Sequence, residues 1–487
     1  MVTRKAKPTP EQLPAKVKKK PAFDTASYYS DALDVISKRQ GFESSGLDVA
    51  PPMSTGLLEV DLMMGGGVRA SMITGAGEEQ CAKTTLALCV MASAIKENIP
   101  LIGWMDYESS TKNSQGYVQS ILNTCGLNMT VEQVFGKKAK DGSWAIVPRV
   151  RYRSETILEK FYDWLSEILR DLPDKKFVEN KWWLVFDATN KKHKAKVGEF
   201  VDAEMTRKYG NGLWVPAPDD KIQGIFFVDS YTAMQPKIKD EEEIGNQLSV
   251  KASAFSKQLE RVKGRMAEKM VTVYGLNHLR SNPMAMFGPK ESEKGGKALQ
   301  QFSDVRIRQT SRSLSASPFK ATGNPKFDYN WTEPSVEPGG GTDQYRLVHT
   351  KCIKNKLWTP QRTGFIRLWV QDGSGGARGI DPFFDTMCYL KRTGQMKGQM
   401  KALKLKLEGI GLAKAAFTWQ ELKLWVLGDK EAMTKLSVKA GFKPMDLRKF
   451  CFRQMKSGVG EDLFIAHENS RAASGESDEG GGDGGED

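Results

Sequence analysis

The chain has 487 residues with an ordinary hydrophobic fraction of 39%, enough for a sizeable core with appended segments. No apolar run approaches the roughly 20 residues that a membrane-spanning helix needs, so we expect no membrane segment. The formal net charge of +13 suggests a polyanionic partner.

The six cysteines lie far apart without a C-x-x-C pair, and the four histidines show no metal-ligand spacing. This pattern favours a reduced, cytoplasmic protein without structural zinc. The positions are Cys81, Cys89, Cys125, Cys352, Cys388 and Cys451.

Both ends of the chain have biased compositions. Residues 1–22 are basic and dotted with proline but contain no apolar segment typical of a secretory signal, so we expect a disordered tail. Residues 23–53 are expected to hold a short helix over 24–39 and a polar linker. Residues 470–487 are acidic and glycine-rich, which predicts a second disordered tail.

From Ser54 onward, short apolar runs alternate with amphipathic segments, which predicts an α/β domain with a mostly parallel sheet. Helical spacing predicts helices over 248–266 and after Ser154. Stretches 173–221 and 311–343 have the character of insertions in a core spanning 54–388. The predicted strands are Ser71–Thr74, Leu101–Met105, Ile225–Val228 and Val271–Leu276.

Residues 389–469 are rich in lysine, which predicts a small basic C-terminal domain made of helices. A lysine-rich solvated helix face is the alternative explanation for the same pattern. The basic side chains in its first part are Lys391, Arg392, Lys397, Lys401, Lys404, Lys406 and Lys414.

The segment GEEQCAKTT, residues 77–85, lies between a predicted strand and an apolar helix. In a phosphate-binding loop, backbone N–H groups surround the phosphates, a lysine reaches the β/γ oxygens and a hydroxyl holds Mg²⁺. Lys83 and Thr84 fit the last two roles, which predicts a site for ATP and Mg²⁺. The candidate contact residues are Gly77, Glu78, Glu79, Gln80, Cys81, Ala82, Lys83, Thr84 and Thr85.

Ala82 stands where the motif requires its second glycine. Alanine is acceptable there if the residue adopts a right-handed helical conformation, and costly if its φ must be positive.

Three predicted strands are each followed by polar residues, and ligands of open α/β sheets bind beyond the carboxyl ends of strands. Asp229 is the candidate Mg²⁺ carboxylate, and Glu108 is the candidate residue that activates the attacking water. Asn277 and His278 follow the third strand. Together with Lys83, these strand ends favour a catalytic site over simple strand capping.

Several segments of the chain resemble motifs of RecA family recombinases. Residues 227–233 (FVDSYTA) resemble the family's second nucleotide motif, and residues 240–247 (DEEEIGNQ) resemble its first DNA-binding loop. Residues 277–280 (NHLR), followed by Met286-Phe287-Gly288 and Gly295-Gly296, resemble its second DNA-binding loop. Lys354 and Lys356 resemble the lysine pair that reaches the ATP of a neighbouring subunit.

The resemblance implies a RecA-like P-loop core and a DNA-dependent ATPase. It implies filaments on single-stranded DNA with ATP between adjacent subunits, and pairing with homologous double-stranded DNA. It assigns oligomerisation to residues 23–53 and duplex capture, restrained by the acidic tail, to the C-terminal domain. Single-strand-binding or loader proteins are further candidate partners, in the cytoplasm of a bacterial cell or a phage-infected host.

The resemblance also implies individual roles. Asn277 and His278 are candidates to relay the state of the nucleotide to the DNA-binding loop. Loops of glycine and apolar side chains can contact phosphates and bases, and an arginine adds charge for the backbone. The candidate DNA-binding residues are Arg280, Met286, Phe287, Gly288, Gly295, Gly296, Glu243, Ile244 and Gly245.

The sequence departs from bacterial members at several positions. His278 replaces a glutamine, Ala82 replaces a glycine, and the insertions have no evident counterpart. This divergence suggests a phage-type recombinase. Two other hypotheses stay open. One is a ring-shaped motor such as a helicase. The other is a DNA-binding scaffold that does not hydrolyse ATP because its phosphate loop has decayed at Ala82.

Overall fold

The structure is a computed structural model. It describes residues 50–77, 81–237, 247–281, 291–293, 296–312, 344–359, 362–371, 379–399 and 402–473, which belong to one compact unit. The expected helix over 24–39, the basic tail over 1–22, residues 474–487 of the acidic tail and most of the 311–343 insertion lie outside these residues. Residues 470–473, expected to be disordered, are helical.

The first half of the core alternates helices and strands up to the insertion. Its elements are α1 (Leu58–Met64), β1 (Met72–Gly77), α2 (Lys83–Lys96), β2 (Leu101–Asp106), α3 (Ser110–Asn113), α4 (Gln115–Thr124), α5 (Val131–Phe135), β3 (Lys137–Lys138), β4 (Trp144–Ile146), β5 (Arg151–Ser154) and α6 (Leu158–Asp171).

The insertion folds into a small antiparallel sheet of its own, in the order β6–β7–β8, with two short helices. Its elements are β6 (Asp174–Val178), β7 (Lys181–Phe186), α7 (Lys191–Val197), α8 (Ala203–Tyr209) and β8 (Leu213–Pro216). Trp183, Val185, Met205 and Trp214 form a separate apolar cluster beneath this sheet.

The chain then returns to the core and continues into the C-terminal region. The remaining core elements are β9 (Gly224–Asp229), α9 (Gln247–Glu268), β10 (Val271–Ser281), β11 (Glu291–Glu293), α10 (Gly296–Phe302), β12 (Val305–Arg312), β13 (Gln344–Asn355), β14 (Thr363–Gln371), β15 (Gly379–Ile380) and α11 (Pro382–Arg392).

The central sheet has the strand order β15-β14-β13-β12-β1-β10-β9-β2-β5, with β11 paired to β10. The six strands from β12 to β5 are parallel to their neighbours, whereas β12 to β15 pair antiparallel. The predicted α/β fold with a mostly parallel sheet is confirmed.

All four predicted strands are present, and their apolar side chains explain why. All six residues of β1 and of β9 are buried, as expected for strands covered by helices on both faces. The predicted end of the fourth strand is wrong, because β10 continues past Leu276 to Ser281 and pairs with β11. Asn277 and His278 therefore lie on the strand rather than after it.

The two predicted helices flank the sheet. In α9, Phe255, Leu259, Val262 and Met266 are buried, as the helical spacing predicts. In α6, Phe161 and Leu165 are buried in the same apolar cluster. None of the helices in the described part of the chain combines the length and apolar character that a membrane-spanning helix needs.

The C-terminal region differs from the all-helical prediction. It begins with a three-stranded antiparallel sheet, because residues 402–407 alternate strictly between exposed and buried side chains. Leu403, Leu405 and Leu407 face the core, and Lys404 and Lys406 face outward. The elements are β16 (Met396–Gln399), β17 (Ala402–Leu407), β18 (Gly411–Leu412), α12 (Trp419–Leu427), α13 (Lys430–Ala440), α14 (Leu447–Lys456) and α15 (Val459–Ala473).

A candidate nucleotide site at the carboxyl edge of the sheet

The predicted phosphate loop connects the carboxyl end of β1 with the N-terminus of α2. Glu78, Glu79 and Gln80 lie outside the described residues. A Cβ atom on Gly77 would collide with the Cys81 Sγ atom and with the backbone oxygen of Gln309, so only glycine fits there. The tight approach of β12 to the loop therefore explains the first glycine of the motif.

Ala82 is the residue before the first turn of α2, and its φ of 63° and ψ of 26° are left-handed. A residue with a Cβ atom loses about 1–2 kcal/mol in this conformation compared with a right-handed one. Ala82 thus occupies a position that favours glycine, and its positive φ means that alanine is costly there.

The Lys83 side chain is buried and folds back over the loop. Its Nζ atom donates a hydrogen bond to the backbone oxygen of Gly77 at 2.9 Å. Thr85, two residues further on, is also buried, and its hydroxyl lies 2.5 Å from the Tyr117 hydroxyl on α4. The ammonium group of Lys83 is therefore held at the loop by the same backbone that would surround a phosphate.

Thr84 and Asp229 meet between α2 and the end of β9. The Thr84 hydroxyl donates to the Asp229 Oδ2 atom at 3.0 Å, and the Ser110 hydroxyl lies 3.4 Å from the same oxygen. Burial raises the pKa of Asp229 to about 6, and the nearby Glu108 carboxylate adds to the effect. A hydroxyl beside a carboxylate supplies the oxygen ligands that Mg²⁺ prefers, so these residues fit the ion.

Glu108 lies two residues beyond the end of β2, at the same carboxyl edge of the sheet. Its carboxylate accepts a hydrogen bond from the Ser230 hydroxyl, and its Oε1 atom is 3.2 Å from the His278 Nε2 atom. These two contacts lower the pKa of Glu108, the one with His278 more strongly, against the opposing effect of partial burial. The carboxylate is therefore ionised and oriented by two neighbouring strands.

Asn277 and His278 have different surroundings. The Asn277 side chain is fully buried, and its Oδ1 atom accepts from the Thr232 hydroxyl at 2.9 Å. The His278 N–H donates to the Thr232 Oγ1 atom at 3.0 Å. The His278 ring contacts Glu108, so Thr232 and Ser230 join Asn277, His278 and Glu108 in one network that was not predicted. Both are hydroxyl residues within three positions of Asp229, a signal that was available in the sequence.

Lys354 and Lys356 lie away from this site in the same chain. Lys354 pairs with Arg306 at the start of β12, whereas Gly77 pairs with Gln309, three residues further along the same strand. The Lys354 Nζ atom donates to the backbone oxygens of Gln300 and Gln301 at the end of α10, at 2.7 and 3.1 Å. The structure thus brings neither lysine together with Lys83, and Lys356 is exposed.

The predicted DNA-binding residues lie mostly outside the described residues. Arg280 is described by its backbone on β10, where it pairs with Ser292, and Gly296 begins α10. Both segments lead out from the carboxyl edge that carries Asp229 and His278. The predicted residues outside the described ranges are Glu243, Ile244, Gly245, Met286, Phe287, Gly288 and Gly295.

The comparisons with known proteins agree on one family. The family model described as the RecA N-terminal domain matches residues 220–322. The chain is 29% identical to protein RecA of Mycoplasma mycoides over 203 residues, which cover 36% of this chain and 52% of the relative. Protein RecA of Bacteroides thetaiotaomicron is 29% identical over 222 residues, covering 41% and 61%. Protein RecA of an Arthrobacter strain is 27% identical over 281 residues, covering 52% and 72%.

The matched length is limited, since the chain spans between about half and three fifths of the length of the first two relatives. The fold is that of an α/β protein with a RecA-like core. The chain is thus similar to proteins of the RecA family, and the family model matches it over residues 220–322.

Proposed function

We propose that this protein is an ATP-dependent DNA recombinase. It forms filaments on single-stranded DNA, hydrolyses ATP when DNA is bound, and promotes homologous pairing and strand exchange in the cytoplasm of a bacterial cell. The observation that carries the proposal is the hydrogen bond between Thr84 and Asp229 beside the buried Lys83, because it joins the three groups that a phosphate-binding site requires.

In this proposal the loop and α2 bind the ATP phosphates. Backbone N–H groups of the loop would surround the phosphates, Lys83 would neutralise the β/γ oxygens, and Thr84 and Asp229 would hold Mg²⁺. When bound, the ion neutralises charge that develops on the phosphates during transfer. Ala82 fixes the entry of the chain into α2 at some cost in stability.

Glu108 orients and deprotonates the attacking water. Its lowered pKa keeps the carboxylate ionised near neutral pH, and the contacts with Ser230 and His278 determine its direction. His278 lies on the strand that leads into the second predicted DNA loop. A change in the contact between Glu108 and His278 would therefore be passed along β10 to the DNA-binding residues.

Lys354 and Lys356 would act on the nucleotide of a neighbouring subunit. They lie at the amino edge of β12, on the side of the sheet away from Gly77. A contact between this edge of one subunit and the carboxyl edge of the next is head-to-tail, and repeated head-to-tail contacts that do not close generate helical filaments.

The basic C-terminal region would capture double-stranded DNA, with the acidic tail competing for the same surface. Lys404 and Lys406 point away from the core of its small sheet, which leaves them available to phosphates. A truncation that tests the tail should end after Ala473, because α15 extends to that residue.

The test measures ATP turnover with and without single-stranded DNA, for the full chain and for Lys83→Ala. We expect turnover that DNA stimulates and that the substitution abolishes. Electron microscopy of the same samples should show helical filaments. Closed rings would favour a ring-shaped motor, and turnover that is absent in both proteins would favour a scaffold with a decayed loop.

A further inference from the structure

The insertion carries a basic helix that the proposed function does not use. Helix α7, Lys191–Val197, is held above the small sheet of the insertion, with the His193 ring packed edge-on against Phe186 of β7 at 5.6 Å. His193 and Val197 are half-buried. These two residues form the inner face of the helix, which packs against the rest of the insertion.

All four lysines of α7 lie on the opposite, exposed face. Successive residues of a helix are rotated by about 100°, so Ala195 lies at the centre of that face. Lys191 and Lys194 fall about 40° and 100° to one side of Ala195, and Lys192 and Lys196 fall about 60° and 100° to the other.

None of these lysines forms an ion pair with another residue in the described part of the chain. The nearest acidic residues along the sequence, Asp187 and Glu199, flank the helix at its two ends, and the Asp187 carboxylate is bonded to Thr189. Two other lysines of the insertion, by contrast, are neutralised by ion pairs: Lys175 pairs with Asp219 and Lys208 with Glu179. The positive charge of α7 therefore faces solvent uncompensated.

We propose that α7 binds the phosphate backbone of double-stranded DNA by lying in its major groove. A helix with its side chains is about 10–12 Å wide, which matches the roughly 12 Å width of that groove. Two lysines on each flank face the two phosphate strands that border the groove, and the small Ala195 faces its floor. The proposal rests on the proposed function only for the choice of DNA as the polyanion.

This surface is separate from the predicted DNA-binding loops. The insertion is attached at the amino end of β9, where the Gln223 side chain donates to the Pro173 oxygen at 2.8 Å and Lys269 pairs with Asp174 at 2.6 Å. The predicted loops leave from the carboxyl ends of β9 and β10. The six residues of β9 span about 17 Å, so α7 would hold a duplex apart from the strand bound at the loops.

The test replaces Lys191, Lys192, Lys194 and Lys196 with glutamine in the full chain and measures binding of a fluorescent duplex by anisotropy across a salt series. Each phosphate contact contributes about 0.9 to the slope of log affinity against log salt. We expect the slope to decrease by about 2 to 4 and the duplex affinity to fall at least about tenfold at about 0.1 M salt. The matched variant with arginine at the same positions should bind as the unchanged chain does.

Three results would overturn the proposal: an unchanged slope in the glutamine variant, a loss of affinity for single-stranded DNA alone, or an equal loss in the arginine variant. Near-ultraviolet circular dichroism checks that the tryptophan-rich cluster of the insertion stays folded. The same samples are assayed for ATP turnover stimulated by single-stranded DNA. If that turnover persists while duplex binding is unaffected, the role of α7 fails and the proposed function stands. If the unchanged chain shows no turnover yet α7 governs duplex binding, the proposed function fails alone.

Discussion

The two edges of the central sheet carry polar groups of different kinds. At the carboxyl edge, Asp229 and Asn277 are buried, and each accepts a hydrogen bond from a threonine hydroxyl, that of Thr84 or of Thr232. At the amino edge and on the attached insertion, Lys356 and the lysines of α7 are exposed. The function of the carboxyl edge depends on the position of each atom, whereas that of the amino edge depends mainly on positive charge. Substitutions that keep the shape of a side chain but remove its charge should therefore affect the two edges differently.

The largest effect is expected from Glu108→Gln, which keeps the shape of the side chain but cannot accept a proton. We expect kcat for ATP to fall about 100-fold or more, because general base catalysis contributes about 10²–10⁴. Filaments on single-stranded DNA should persist in electron micrographs. Glu167→Gln, at an exposed position of α6, serves as the control. Turnover within threefold of the unchanged chain would remove Glu108 from the mechanism.

A tenfold loss of DNA-stimulated turnover is expected from Lys356→Ala at the amino edge, because the lysine is proposed to act on the neighbour's ATP. This variant retains its own Lys83, and the Lys83→Ala variant retains Lys356. Mixing the two impaired proteins should therefore restore turnover above the sum of the separate rates. Lys257→Ala, at an exposed position of α9, should behave as the unchanged chain does. Additive rates in the mixture would contradict action between subunits.

The third prediction concerns the stability cost of the buried carboxylate. The pKa of Asp229 is about 6 against an ordinary 3.8, and each pKa unit corresponds to about 1.4 kcal/mol. A raised pKa means that the folded state binds the proton more tightly, so this carboxylate lowers stability as pH rises from about 4 to 6. Asp229→Asn should therefore increase the free energy of unfolding by about 2 to 3 kcal/mol at pH 7, measured in chelator, with no gain at pH 3.5.

The same variant should lose Mg²⁺-dependent nucleotide binding, since the neutral amide is a weaker ligand. A gain in stability with a loss of binding would mark Asp229 as a functional group kept at a cost to the fold. Asp304→Asn is the comparison at the amino edge, where the carboxylate pairs with Lys263. We expect that variant to be less stable, and a stabilising effect there would contradict the distinction between the two edges.

The smallest effect is expected from Ala82→Gly. Glycine removes a left-handed strain of about 1–2 kcal/mol but adds about 0.5–1 kcal/mol of unfolded-state entropy, so the net gain is about 0.5–1 kcal/mol. Chemical denaturation measures it. Ala92→Gly, inside the same helix, should instead lower stability by about 1 kcal/mol. A loss of stability in both variants would contradict the left-handed conformation of Ala82.

The C-terminal region begins with strands where helices are predicted. Residues 402–407 (ALKLKL) alternate between apolar and charged side chains with a period of two, which is the pattern of a half-buried strand. The prediction of helices from the abundance of lysine is therefore wrong for this segment. The end of β10 was missed for another reason: Leu279 to Ser281 continue the strand only because β11 pairs with them.

The sequence by itself determined the central strands, the flanking helices and the carboxylates at the strand ends, because apolar periodicity and the order of residues along a parallel sheet dictate which side chains share an edge. The tertiary structure alone decided three matters. It gave Ala82 its positive φ, it brought His278 of β10 to Glu108 beyond the end of β2 with β9 between the two strands, and it directed the Lys354 side chain to the end of α10, away from Lys83. Each depends on contacts between residues distant along the chain, which no local pattern encodes.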